Sequence, residues 1–154
     1  MRSGEITLPF GGEDRLFRLR IGEVRAVEEK TGYGIGYIAF RLASLNAAVG
    51  LGQNIGQIIA TGAIGPWKVD EVREVMLQGL IGGGMLPVEA KALVDRWVEP
   101  FPIEAAVLAY QVAVSWLAGG KEEPIDLGES KAGKPRSRSK TALRAGKAST
   151  APQP

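Results

Sequence analysis

"KVDEVREVMLQGLIGGG", residues 68–84, decides the fold. Val69, Val72, Met76 and Leu80 recur at helical spacing, with Val75 beside them. Asp70, Glu71, Arg73 and Glu74 fall mainly on the outer side, and the acids crowd the first turn, where the helix dipole favours them. The spacing predicts an amphipathic helix that stops at glycine. Its last residues run on as "GLIGGGM" (79–85), which raises the question of a phosphate-cradling loop. Such a loop needs a strand, then G-x-x-x-x-G-K-[ST], then a helix. Here the glycines follow a helix, and Met85–Leu86 stand where lysine and serine are required. Gly82, Gly83 and Gly84 therefore read as a helix C-cap and a tight turn.

Downstream, "PVEAKALVDRWVEP" (87–100) opens on proline, as a helix start favours, and closes before Pro100. "PIEAAVLAYQVAVSWLAGG" (102–120) sets Ile103, Val107, Tyr110, Val114 and Leu117 on one expected inward face. Upstream, "GEVRAVEEKTG" (22–32) turns Val24, Val27 and Ile21 inward and offers Gly32 as C-cap. "IGYIAFRLASL" (35–45) has Ile38, Leu42 and Leu45 in helical register. Residues 5–21 alternate Ile6, Leu8, Phe10 and then Phe17, Leu19, Ile21 around "GGED", the pattern of a β-hairpin. A lone hairpin is marginal in water, so its apolar face must lie on helices. Residues 46–66, uncharged and glycine-rich, fit either a helix packed on both sides or a mobile segment. The expected fold is mainly α (α+β): an N-terminal hairpin followed by a bundle of about five short helices.

After Gly120 the apolar signal ends. Residues 121–154 are expected to form a disordered basic tail behind one domain spanning 4–120. The net charge of +2 conceals this division. Seven basic residues and no acid lie between Lys131 and Pro154, leaving twelve basic against seventeen acidic residues in 1–130, a balance of −5. The tail, with Arg136, Arg138 and Lys140 in "RSRSK", gives salt-dependent affinity for any polyanion. It has no aromatic residue to stack on bases, so nucleic acid is expected to bind only non-specifically. A solvated tail or a partner-contact arm is the better account of it.

The 154-residue chain contains neither cysteine nor histidine. Disulfides, thiolate metal sites and Ser–His or Cys–His nucleophiles are thereby excluded. Carboxylates such as Asp70, Glu71, Glu74 and the Glu28–Glu29 pair read as solvated helix faces, and no cofactor is expected. "GYGIG" (32–36) and "GLGQNIG" (50–56) lack the preceding strand and the spacing of a dinucleotide fingerprint. Trp67, Trp97 and Trp116 are spread over three regions and read first as core or interface residues. The uncharged run Leu42–Trp67 is broken by five glycines, two asparagines and two glutamines, which argues against a membrane span. A cytoplasmic, non-enzymatic protein is the expectation.

"GEITLPFGGEDRLFRLRIGEVRAVEEKTGYG", then "VDEVREVMLQGLIGGG", then "EAKALVDRWVEPFPIEAAVLAYQVAVSWLAGG" together resemble the small tail-assembly proteins of gene transfer agents and related long-tailed phages. That family is catalogued as tail tube protein or tail assembly chaperone. The resemblance covers about residues 4–120. The glycine-ended helix with Asp70-Glu71-Val72 is its sharpest element. Residues 46–66 look longer and richer in glycine than the pattern, and the basic tail is not part of it. The resemblance implies an assembly factor that binds the tape-measure protein and helps recruit major tail-tube subunits, with self-association into a homo-oligomer left open. The alternatives are a structural tube or terminator subunit, or a small nucleic-acid-binding protein acting through its tail. Trp67, Trp97, Trp116, Gly82–Gly84, Arg136, Arg138 and Lys140 are the residues expected to face partners.

Overall fold

The structure, a computed structural model, describes residues 4–119. Two strands, β1 (Glu5–Phe10) and β2 (Glu13–Arg18), precede six helices: α1 (Ile21–Thr31), α2 (Ile35–Gly50), α3 (Ile55–Ala60), α4 (Val69–Gly82), α5 (Pro87–Trp97) and α6 (Pro102–Leu117). The strands pair antiparallel, with Phe10 opposite Glu13 and Glu5 opposite Arg18. Only Gly11 and Gly12 form the turn, at φ 69° and 87°, the left-handed values that a two-residue hairpin loop demands. Glu13 and Asp14 belong to β2 rather than to the turn.

The helices start and stop for local reasons. Gly32 ends α1 at φ 81°, its N–H donating to the Glu28 carbonyl. The Glu28 side chain accepts from the Ile35 N–H at 2.9 Å, so one residue on α1 also caps the start of α2. Pro87 and Pro102 occupy the first turns of α5 and α6.

The ambiguous stretch 46–66 proves ordered. Its first residues extend α2 to Gly50. Asn54 and Gln57 then exchange reciprocal hydrogen bonds of 2.9 Å, a capping box that opens α3, the one helix beyond the five expected. Gly52, Gly62 and Gly65 have positive φ, so these glycines are turn residues rather than a sign of mobility.

The core joins Phe17 and Leu19 of the hairpin region to Val24 and Val27 of α1, Ile38, Leu42 and Leu45 of α2, and Val72, Val75, Met76 and Leu80 of α4. At the centre lies α6, packed against α2, α4 and both strands. Its buried side is not the expected stripe of large residues. Ala105, Ala106, Ala109, Val112 and Ala113 face the core, whereas Val107, Tyr110 and Val114 are half-buried and Leu117 is 44% exposed. A helix packed against several neighbours needs small side chains where backbones approach, and the larger ones fill its flanks. Ile21 and Val69 also differ from expectation, being 58% and 48% exposed at the first residue of their helices.

Candidate partner surfaces

The glycine run at the end of α4 is a packing device. A Cβ on Gly82 would lie 1.9 Å from the Arg18 carbonyl oxygen, and one on Gly83 would lie 2.1 Å from that of Leu16. Only glycine lets the helix end lie along β2. Gly79, one turn earlier, slots between Phe17 and Val112, whose side chains a Cβ would meet at 3.0 and 3.1 Å. Gly84 has open space around it and takes φ +112° to turn the chain toward α5.

This contact closes one edge of the sheet. In a hairpin with a two-residue loop, the pair beside the loop exchanges both hydrogen bonds, and the pattern alternates from there. Leu16 and Arg18 therefore direct their backbone groups outward, to the side that α4 covers. On β1 the corresponding outward position next to the turn is Pro9, opposite Asp14, and proline has no N–H to offer a further strand. The β2 edge is thus covered and the β1 edge is interrupted next to the turn, while Thr7, also outward, stays exposed.

At the hairpin tip, Pro9, Phe10 and Gly11 form a groove with Trp97, Phe101 and Leu108, about 320 Å³ in volume. Trp97 and Phe101 stack with centroids 5.5 Å apart and planes 22° from parallel. Phe101 is 44% exposed, and Glu104 lies at the groove's margin. The wall is mostly apolar, with an acid at its side.

The three tryptophans are not brought together. Trp97 lies against the hairpin turn, and Trp116 lies beside Gly4 at the hairpin base. A six-residue strand separates those two places by roughly 20 Å. Trp67 sits in the loop before α4, its indole N–H donating to the Ile64 carbonyl. All three are half-buried. Arg136, Arg138 and Lys140 lie outside the described residues, as does the tail as a whole.

Around Trp67 is a charged cluster that reads differently in sequence and structure. Glu71 is fully buried, not on a solvated face, and pairs with buried Arg41 at 3.0 Å. The Lys68 N–H donates to the other Glu71 oxygen at 3.1 Å. The Arg41 guanidinium also donates to the Pro66 carbonyl and lies 4.7 Å from the Tyr33 ring centroid and 5.3 Å from that of Tyr37. The Lys68 ammonium lies 5.1 Å from the Tyr33 centroid. Ser44 donates to the Ala63 carbonyl at 2.9 Å. These contacts tie the glycine-containing loop before α4 to α2. One signal for them stood in the sequence: Arg41 is the only charge in α2 and lies among the apolar positions Ile38, Leu42 and Leu45.

Among the described residues no group of three or more Asp, Glu, His or Cys is placed to hold a metal ion, and no helix is long and apolar enough to cross a membrane. What the surface offers instead is apolar relief on a helical frame, the means by which one protein grips another. The sequence model of the family described as "Phage tail tube protein, GTA-gp10" matches residues 3–119, and the chain belongs to that family of phage tail proteins. No curated protein and no solved structure matches the chain.

Proposed function

We propose that this chain is a non-enzymatic tail assembly chaperone that binds the tape-measure protein and helps recruit major tail-tube subunits in the host cytoplasm. The observation that carries the proposal is the covered outer edge of β2, against which the Gly82–Gly83 end of α4 lies, beside a β1 edge that Pro9 interrupts next to the turn. A subunit that builds a tube by continuing its sheet into the next copy needs a long open edge, and here one strand is covered by α4 while the other is six residues long and interrupted by Pro9. A tape measure is a long, largely helical, apolar polypeptide, and the Trp97–Phe101 groove suits a single large side chain projecting from such a helix. Trp97 is the partner-facing tryptophan this assigns to the tape measure, while Gly82 and Gly83 act by holding β2 and Gly84 by turning the chain toward α5.

A second reading, a structural tail component kept in the particle, is favoured by the family description itself. Co-expression of the full chain with the tape-measure and tail-tube proteins separates the two. Capture of the tape measure from lysate, together with absence from finished particles, is the outcome expected of a chaperone. Stoichiometric presence in purified particles would establish the structural subunit instead.

A further inference from the structure

On a different face of the molecule, we infer that the outer side of α2 is a self-association surface, on which a second copy of this chain packs its own α2 in antiparallel fashion. The buried side of α2 carries Ile35, Ile38, Ala39, Leu42, Leu45 and Ala48. The opposite side exposes Tyr37, Phe40, Ser44 and Ala47, and the exposed C-cap residue Leu51 continues the line. Their spacing of three, four, three and four residues is the seam of a helix–helix contact. Tyr37 is 51%, Phe40 73% and Leu51 77% exposed. An exposed helix face ordinarily carries charge. This one carries none, since Arg41 is buried and no charged residue follows until Lys68.

Two features favour a second copy as occupant. First, a two-fold contact sets each residue near the axis against its own like, so charged faces repel themselves and a charge-free face does not. With the axis at Ser44, whose hydroxyl stays turned to the Ala63 carbonyl of its own chain, antiparallel pairing brings Phe40 over Ala47 of the copy and Tyr37 beside its Leu51, large against small and ring against aliphatic. The side-chain oxygens of neighbouring Asn54 and Gln57 already accept from each other's backbone N–H groups, which leaves only their amide NH2 groups to be kept in water at the rim of the contact. Second, the area is sufficient. Tyr37, Phe40 and Leu51, with Ile55 and Ile59 of the adjoining α3 at 51% and 60% exposure, present on the order of 500 Å² per copy, or roughly 1,000 Å² in total, the lower bound for a specific interface.

Because the chain has no cysteine, the full-length Ser44→Cys variant tests the axis directly. Under mild oxidation it is expected to form a covalent dimer, while Val88→Cys, on an 82% exposed residue of α5, does not. Sedimentation of the unmodified chain should show a monomer–dimer equilibrium that Phe40→Glu weakens at least tenfold, with the helical circular dichroism unchanged. A chain that stays monomeric to about 100 μM, a range in which even weak specific contacts register, overturns the inference. A dimer indifferent to Phe40→Glu overturns it equally, by placing the contact elsewhere. Loss of tape-measure capture in Phe40→Glu, without any self-association to lose, would give this face to the tape measure.

Discussion

A methyl group at Gly82 has nowhere to go, because the Arg18 carbonyl oxygen already fills the place a Cβ would take. Gly82→Ala is therefore expected to cost about 2–3 kcal/mol in urea unfolding, the scale of overpacking where backbone must move. Gly22→Ala is the control. Gly22 has open space around it inside α1, so alanine there should be neutral or stabilising by up to about 1 kcal/mol. Equal losses at both sites would mean that the α4–β2 approach does not account for the glycine run. The Arg41–Glu71 pair permits a sharper test. Arg41→Met alone strands a buried carboxylate and should cost about 3–5 kcal/mol, whereas Arg41→Met with Glu71→Leu should recover most of that. A double variant no better than the single would show that the guanidinium's hold on Pro66 and the Tyr33 ring matters more than charge balance.

At the scale of elements, the inward side of α6 distinguishes what periodicity reveals from what it conceals. Ala109→Leu forces volume into a fully buried contact and should cost about 1–3 kcal/mol, while Leu117→Ala, at a 44% exposed site, should stay within about 1 kcal/mol. Between α4 and α5, Asp95 accepts hydrogen bonds from Lys91 and Arg73, which hold its carboxyl below the usual aspartate range. The sign follows from that lowering. Its contribution is complete above the unfolded aspartate pKa and disappears as pH falls through the folded value. Asp95→Asn should thus lower Tm slightly at pH 7, because the pair is exposed, and the difference should shrink as pH falls below the usual aspartate range. The hairpin, α1, α4 and α5 were legible because their apolar and charged positions alternate at the period of the element. In α6 nearly every position is apolar, so composition could not say which side faced inward, and alanine's role as a spacer becomes visible only once its neighbours are in place. Residues 46–66 were obscure for the opposite reason: their order rests on the Asn54–Gln57 cap and on Arg41, a residue outside the segment.

For the whole molecule, the question is how many faces it works with. The Trp97–Phe101 groove was half legible, since tryptophan marked a place worth attention but its neighbours come from the hairpin, far away in sequence. Trp67 and Trp116 carried the same mark, and the fold puts them at the loop before α4 and the hairpin base instead. The outer side of α2 drew no attention at all, because an apolar helix position looks the same in sequence whether it is covered or bare. Groove and helix face make two contacts of different kinds, and they should fail independently. Phe101→Asp, at a 44% exposed site, is expected to lower capture of the tape-measure protein at least tenfold while leaving self-association intact. Phe40→Glu is expected to do the reverse in the same pair of measurements, pull-down and sedimentation. A chain that meets a repeating filament with one face and its own copy with another gains avidity from each added copy without any single contact being strong. If either variant abolished both activities, the two surfaces would form one site, and the chain would grip the tape measure only as a dimer.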